Sequence, residues 1–148
     1  MKKFTFPLQK VLEYDTHIQK SETDMLNALQ AEYMQLNEKR EGMLFQYEQA
    51  KHQYQESCEE GQNVRKCAAI GTYIMDQRQQ ILKITTQMRE QMKRIDMQRD
   101  RLIAITKDKE IIEKLKTHSH ESYLVAERKS DELFIEEFVS NMAVQGKR

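Results

Sequence analysis

Tryptophan is absent from this sequence, proline occurs once, and glycine occurs only four times in 148 residues. So few turn-forming residues leave little material for a β-sandwich, a barrel or a many-stranded sheet. No apolar run approaches the ~20 residues of a membrane-spanning helix. The lysines near the start are followed by no apolar stretch, so no secretory signal is expected there. Net charge is absent too: 24 basic side chains balance 24 acidic ones, which argues against a general nucleic-acid binder. The only cysteines are Cys58 and Cys67. They could form a disulfide, but a helical chain with two cysteines and no export signal is expected to be cytosolic and reduced. No Gly-rich phosphate loop and no Gly-x-Ser-x-Gly elbow occur, and no catalytic residue, cofactor or metal site is expected. His118 and His120 are two apart and diverge on a helix, where a metal pair wants a spacing of three or four.

What remains is helix-forming material. Gln, Glu, Lys, Arg, Met, Leu and Ile dominate. At 39% hydrophobic residues and a mean hydropathy of −0.84, the apolar side chains can line one stripe of a helix but cannot fill a globule. The stripe falls in two long segments. The first, about residues 7–57, carries Leu8, Val11, Ile18, Met25, Leu29, Tyr33, Leu36, Met43, Tyr47, Ala50 and Tyr54, with Asp15, Glu22 and Arg40 as polar interruptions. The second, about 64–139, places Ile74, Ile81, Met88, Ile95 and Leu102 seven apart. Ile84, Ile105, Ile112, Ala126 and Leu133 form its companion row, with Gln77, Gln91, Gln98 and Ser119 between them. Such spacing is the signature of a coiled coil.

Between the segments lies SCEEGQNVRK. Gly61 is a natural helix terminator and Asn63 a natural N-cap, which puts a turn at about 58–63. The expected fold is all-α: one antiparallel two-helix coiled-coil hairpin spanning 1–148. Residues 1–60 hold 7 basic and 11 acidic groups, and residues 61–148 hold 17 and 13, so the arms carry opposite net charge. Seam charges should meet across the pair, Asp15 near Lys109 and Glu22 near Arg99, each within about a turn of helix. The basic stripe from Arg78 to Lys116 is read as a balance to the acidic arm.

The arms are unequal, roughly 75 and 110 Å long if fully helical. The second should overhang the first from about residue 117, after the weakly helix-forming KTHSHES, where a bend or fraying is expected. Beyond it Tyr123, Ala126, Leu133, Phe134 and Phe138 make an apolar face without an evident partner in the hairpin. At the other terminus, Phe4 and Phe6 precede Pro7. Pro7 favours an extended Phe6 and can begin a helix, so both rings can face one side of an extended hook beside the overhang. The plainer reading of the hook is a packing cap over the last turn of the seam.

The stretch FTFPLQKVLEY near the start and ERKSDELFIEEFV near the end resemble the two ends of the flagellar FliJ proteins, small coiled-coil components of the flagellar type III export apparatus. Phe4, Phe6, Leu8, Val11 and Leu12 match the first motif. Asp131, Glu132 and Phe138 match the second, with Lys129 one position nearer the acidic pair than in the family pattern. Length and hairpin architecture agree, so the resemblance spans the chain.

The resemblance implies a fold similar to the gamma-subunit stalk of rotary ATP synthases. It implies a non-enzymatic stalk and adaptor, working in the cytoplasm at the flagellar base. The implied partners are the hexameric flagellar export ATPase, the cytoplasmic domain of the membrane export gate, and export chaperones. Membrane contact would be peripheral, through those partners, and nucleic acid is not among them. The expected contacts with the ATPase ring are Phe4, Phe6, Arg128, Lys129, Leu133, Phe134 and Phe138. Those with the gate are Met43, Tyr47, Tyr54, Tyr73 and Gln77, of which Tyr47 and Tyr54 are equally readable as seam residues. The alternative function is a generic coiled-coil scaffold or a prefoldin-like holdase.

Overall fold

The computed structural model describes residues 2–59, 61 and 64–146. They form two helices, α1 (Gln9–Glu59) and α2 (Val64–Gly146), and no strand occurs among the described residues. The helices pack against each other as a hairpin with arms of 51 and 83 residues.

Local chemistry explains where α1 starts and stops. Residues 2–6 stay outside the helix, and the Phe6 carbonyl accepts the Gln9 N–H at 3.1 Å across a turn containing Pro7. Pro7 has no N–H to leave unpaired, which suits a helix entry. At the other end the helix stops at Glu59, and Gly61 adopts φ +65°. That left-handed conformation is strained for a residue with a Cβ, and it closes helix C-termini. The expected N-cap, Asn63, lies outside the described residues with Glu60 and Gln62.

The chain divides into two compact units. The first is Ser21–Leu102. On α1 its facing side chains are Glu22, Leu26, Leu29, Tyr33, Leu36, Arg40, Met43, Tyr47, Ala50 and Ser57. On α2 they are Ile74, Gln77, Ile81, Ile84, Met88, Gln91, Ile95, Gln98 and Leu102. Along α2 the steps alternate three and four throughout, the pattern of a two-helix seam. All fully buried described residues lie in this unit, with Ile95 the most enclosed at 2% exposure. Two glutamines set the register. Gln98 Nε2 donates to the Glu22 carbonyl (3.0 Å) and to the Glu22 carboxylate. Gln91 Nε2 donates to the Leu29 carbonyl (3.0 Å) and to Glu32 Oε2 (3.0 Å). Seven residues forward on α1 match seven backward on α2, so the pairing is antiparallel.

The second unit comprises Met1–Lys20 and Ile103–Arg148. Leu12, Ile18, Ile105, Ile112 and Tyr123 are the half-buried apolar side chains of its helices. Gln19 bridges the helices, donating to Thr106 Oγ1 (3.2 Å) and accepting from Lys109 Nζ (2.9 Å).

Four expectations need correction. Val11 and Met25, placed in the seam, are 42% and 50% exposed, and Leu8 is exposed as well. Leu12, Gln19 and Leu26 take the facing row instead, because only that row continues in unbroken sevens to Tyr33, Arg40 and Tyr47. The register is that expected, but the charge pairs differ: Lys109 bonds Gln19 and its own-helix neighbour Glu113 (3.7 Å), and Glu22 accepts from Gln98, while Arg99 is exposed. The KTHSHES stretch is helical without interruption. Thr117 Oγ1 bonds back to the Glu113 carbonyl (3.1 Å), and the packing of residues 2–6 on the following turn offsets the low propensity. Finally, Ala126 is exposed, and so is Leu133 with every other described residue of α2 after Glu127, so neither is a seam residue.

Candidate functional site

The extended start of the chain lies against α2. The Phe4 ring meets His120 edge-on at 5.0 Å between centroids and Tyr123 in a tilted contact at 5.4 Å. The Tyr123 hydroxyl donates to the Lys2 carbonyl at 2.8 Å. Edge-to-face aromatic pairs of this kind add specific attraction beyond apolar burial. Phe4 and Phe6 are both half-buried. Phe4 thus packs on α2, and Tyr123 is its partner rather than part of an uncovered face. His120 is held in this cluster while His118 lines a shallow groove with Glu121, Ser122, Val125, Ala126 and Lys129.

The other expected ring contacts lie further along α2. Ten residues separate Tyr123 from Leu133, roughly 15 Å of helix. Phe134 is 70% exposed, and Leu133, Ile135, Phe138, Val139 and Met142 are exposed with it. Their spacing sorts them. Phe134, Ile135, Phe138, Val139 and Met142 fall on one side of the helix, since i, i+4 and i+8 share a face. Leu133 does not belong to that side; it lines a groove with Glu136, Glu137, Ser140 and Asn141. Residues 127–146 carry five acidic and two basic groups, the latter being Arg128 and Lys129, both exposed. The stretch is thus an exposed amphipathic helix with an aromatic stripe and an acidic flank. Ile135, Val139 and Met142 were missing from the residues expected here, although the i, i+4, i+7 relation of Ile135, Val139 and Met142 carries them.

Near the turn, the residues expected to meet a gate differ in availability. Gln77 is 8% exposed and belongs to the seam, with its Oε1 unbonded among the described residues. Met43 and Tyr47 are half-buried seam residues. Tyr54 and Tyr73 present exposed rings. Tyr73 lines an open groove with Gln46, Gln49, Ala50, Gln53, Ala69 and Ile70. Tyr54 lies across from Gly71, where an added Cβ would stand 3.6 Å from the ring, and Cys58 raises its hydroxyl pKa, first through charge and then through a hydrogen bond.

Among the described residues no group of three or more His, Cys, Asp or Glu side chains gathers as metal ligands, and no helix is long and apolar enough to cross a membrane. Comparison with family models, with curated proteins and with solved structures finds no match for this chain.

Proposed function

We propose that the chain is a coiled-coil stalk and adaptor of flagellar type III protein export, of the kind its terminal motifs resemble. In this reading it engages the hexameric export ATPase and links it to the cytoplasmic domain of the export gate and to substrate chaperones. It acts at the inner face of the cell membrane without entering it, and it regulates hydrolysis without performing any. One observation carries the reading: an exposed aromatic stripe on a single helix, Phe134, Ile135, Phe138, Val139 and Met142, within a motif that resembles the family's end. A narrow apolar helix of this type suits a groove or pore lined by several copies of one subunit. Phe4 supports the stripe indirectly, by packing the start of the chain on His120 and Tyr123.

The test mixes the full chain with its cognate export ATPase and measures hexamer assembly and hydrolysis. The intact chain should raise both. Phe134→Ser with Phe138→Ser should remove most of the stimulation while leaving helicity by circular dichroism nearly unchanged, because neither residue touches the seam. Tyr54→Ala with Tyr73→Ala should weaken binding to the gate domain and leave stimulation largely intact. If the intact chain changes neither assembly nor hydrolysis, the stalk reading fails. Nucleotide-independent capture of unfolded chains would then favour the holdase.

A further inference from the structure

The thiols of Cys58 and Cys67 stand 3.9 Å apart, one at the end of α1 and one in the first turn of α2, and neither is bonded to another sulfur. The two differ in access: Cys58 is exposed and Cys67 half-buried. A disulfide needs its sulfurs at about 2 Å, with the two Cβ atoms close. Side-chain rotation of two facing thiols can close that gap, and the nine-residue separation with a turn between them brings the partners from opposite helices. Zinc is a poor occupant, because it takes four ligands and no third His, Cys, Asp or Glu joins the pair among the described residues.

We propose that Cys58 and Cys67 form a reversible redox staple, closed by a low-molecular-weight disulfide, that pins the turn end of the hairpin. The chemistry balances in two exchanges. The Cys58 thiolate attacks one sulfur of the small disulfide, the S–S bond breaks, and the first small thiolate leaves and takes up a proton. The Cys67 thiolate then attacks Cys58 Sγ in this mixed disulfide and expels the second small thiol. Two protein thiols are oxidised and one small disulfide is reduced to two thiols. Exposure makes Cys58 the entry point, and the 3.9 Å separation makes Cys67 the resolving thiol. Partial burial, which persists when Cys58 is in the mixed disulfide, raises the Cys67 thiol above its ordinary pKa. The rate of resolution should rise roughly tenfold per pH unit below that raised value, because the thiolate is the attacking species.

The proposal stands apart from the export reading and is tested on the full chain alone. Reduced protein, dilute enough to disfavour pairing between chains, is exposed to graded ratios of oxidised to reduced glutathione. Free thiols and intact mass are then followed without reductant. Both thiols should disappear together, leaving a monomer lighter by two hydrogens. Cys67→Ser should stop at a stable glutathione adduct on Cys58, and Cys58→Ser should react several-fold more slowly. The oxidised wild type should unfold at a higher temperature than the reduced form, a difference absent from Cys67→Ser. A wild-type chain that at equilibrium still holds a glutathione adduct beside a free thiol, forms interchain dimers first, or unfolds no later when oxidised overturns the staple.

Discussion

Gln91 and Gln98 occupy positions that leucine would fill in a purely apolar seam. Each amide reaches two acceptors on α1, one of them a backbone carbonyl. Hydrogen bonds of this kind contribute little net stability while made, but leaving one partner buried and unpaired is costly. Gln98→Ala should therefore destabilise the chain by about 1 to 2 kcal/mol in urea unfolding, through Glu22 as much as through lost packing. Replacing both Gln98 and Glu22 by Leu should recover that loss or exceed it, at the expense of a single register. A double variant no more stable than Gln98→Ala would show that the amide contributes bonding that apolar volume does not replace. The same scale separates what could and could not be read about individual side chains beforehand. Gln77, Gln91 and Gln98 are recognisable as seam residues from their spacing alone. Whether Phe4 would be free or packed was not readable, because its partners, His120 and Tyr123, stand more than a hundred positions away.

The helices themselves follow from composition and period, and their bounds fall close to those expected from Pro7 and Gly61. The phase of α1 does not follow so simply. Its first third offers two adjacent apolar rows, through Val11 and Met25 or through Leu12 and Leu26, and both contain Asp15 and Glu22. Local hydrophobicity cannot choose between them. Continuity with Tyr33, Arg40 and Tyr47 does, and it accepts Gln19 in the seam because that side chain can bond Thr106 and Lys109. The aromatic stripe of α2 was only partly readable for a related reason: heptads extrapolated from the paired region pointed to Leu133, whereas an unpaired helix keeps its own period of 3.6. At the turn, an added Cβ on Gly61 meets nothing within 4 Å, so substitution there tests backbone conformation alone. Gly61→Ala should cost about 1 kcal/mol by chemical denaturation, and Gly61→Asn less, since Asn tolerates the left-handed region. Equal stability of all three would mean that the positive φ places no demand on the sequence.

For the whole molecule, the opposite charges of the two halves suggest an electrostatic zipper, yet the bonds described across the seam are made chiefly by glutamine. The His52–Glu56 contact and the Lys109–Glu113 ion pair each run along one helix. Among the described residues, charge balance thus adds less to cohesion than burial does. Cohesion follows burial, and burial is uneven: Ile84, Met88, Gln91, Ile95 and Gln98 are enclosed, while everything described after Glu127 faces solvent. This gives the backbone amides of α2 a graded lifetime against exchange with deuterium. Those from Ile84 to Gln98 should be the last to exchange, through near-global opening, and those after Glu127 should exchange at rates close to an isolated peptide of the same length. Uptake resolved by peptide mass spectrometry would measure the gradient, and uniform protection along α2 would contradict it. Slow exchange newly acquired after Glu127, on adding any protein that binds there, would then be a direct record of that contact, because in the chain alone those amides have almost no protection to lose.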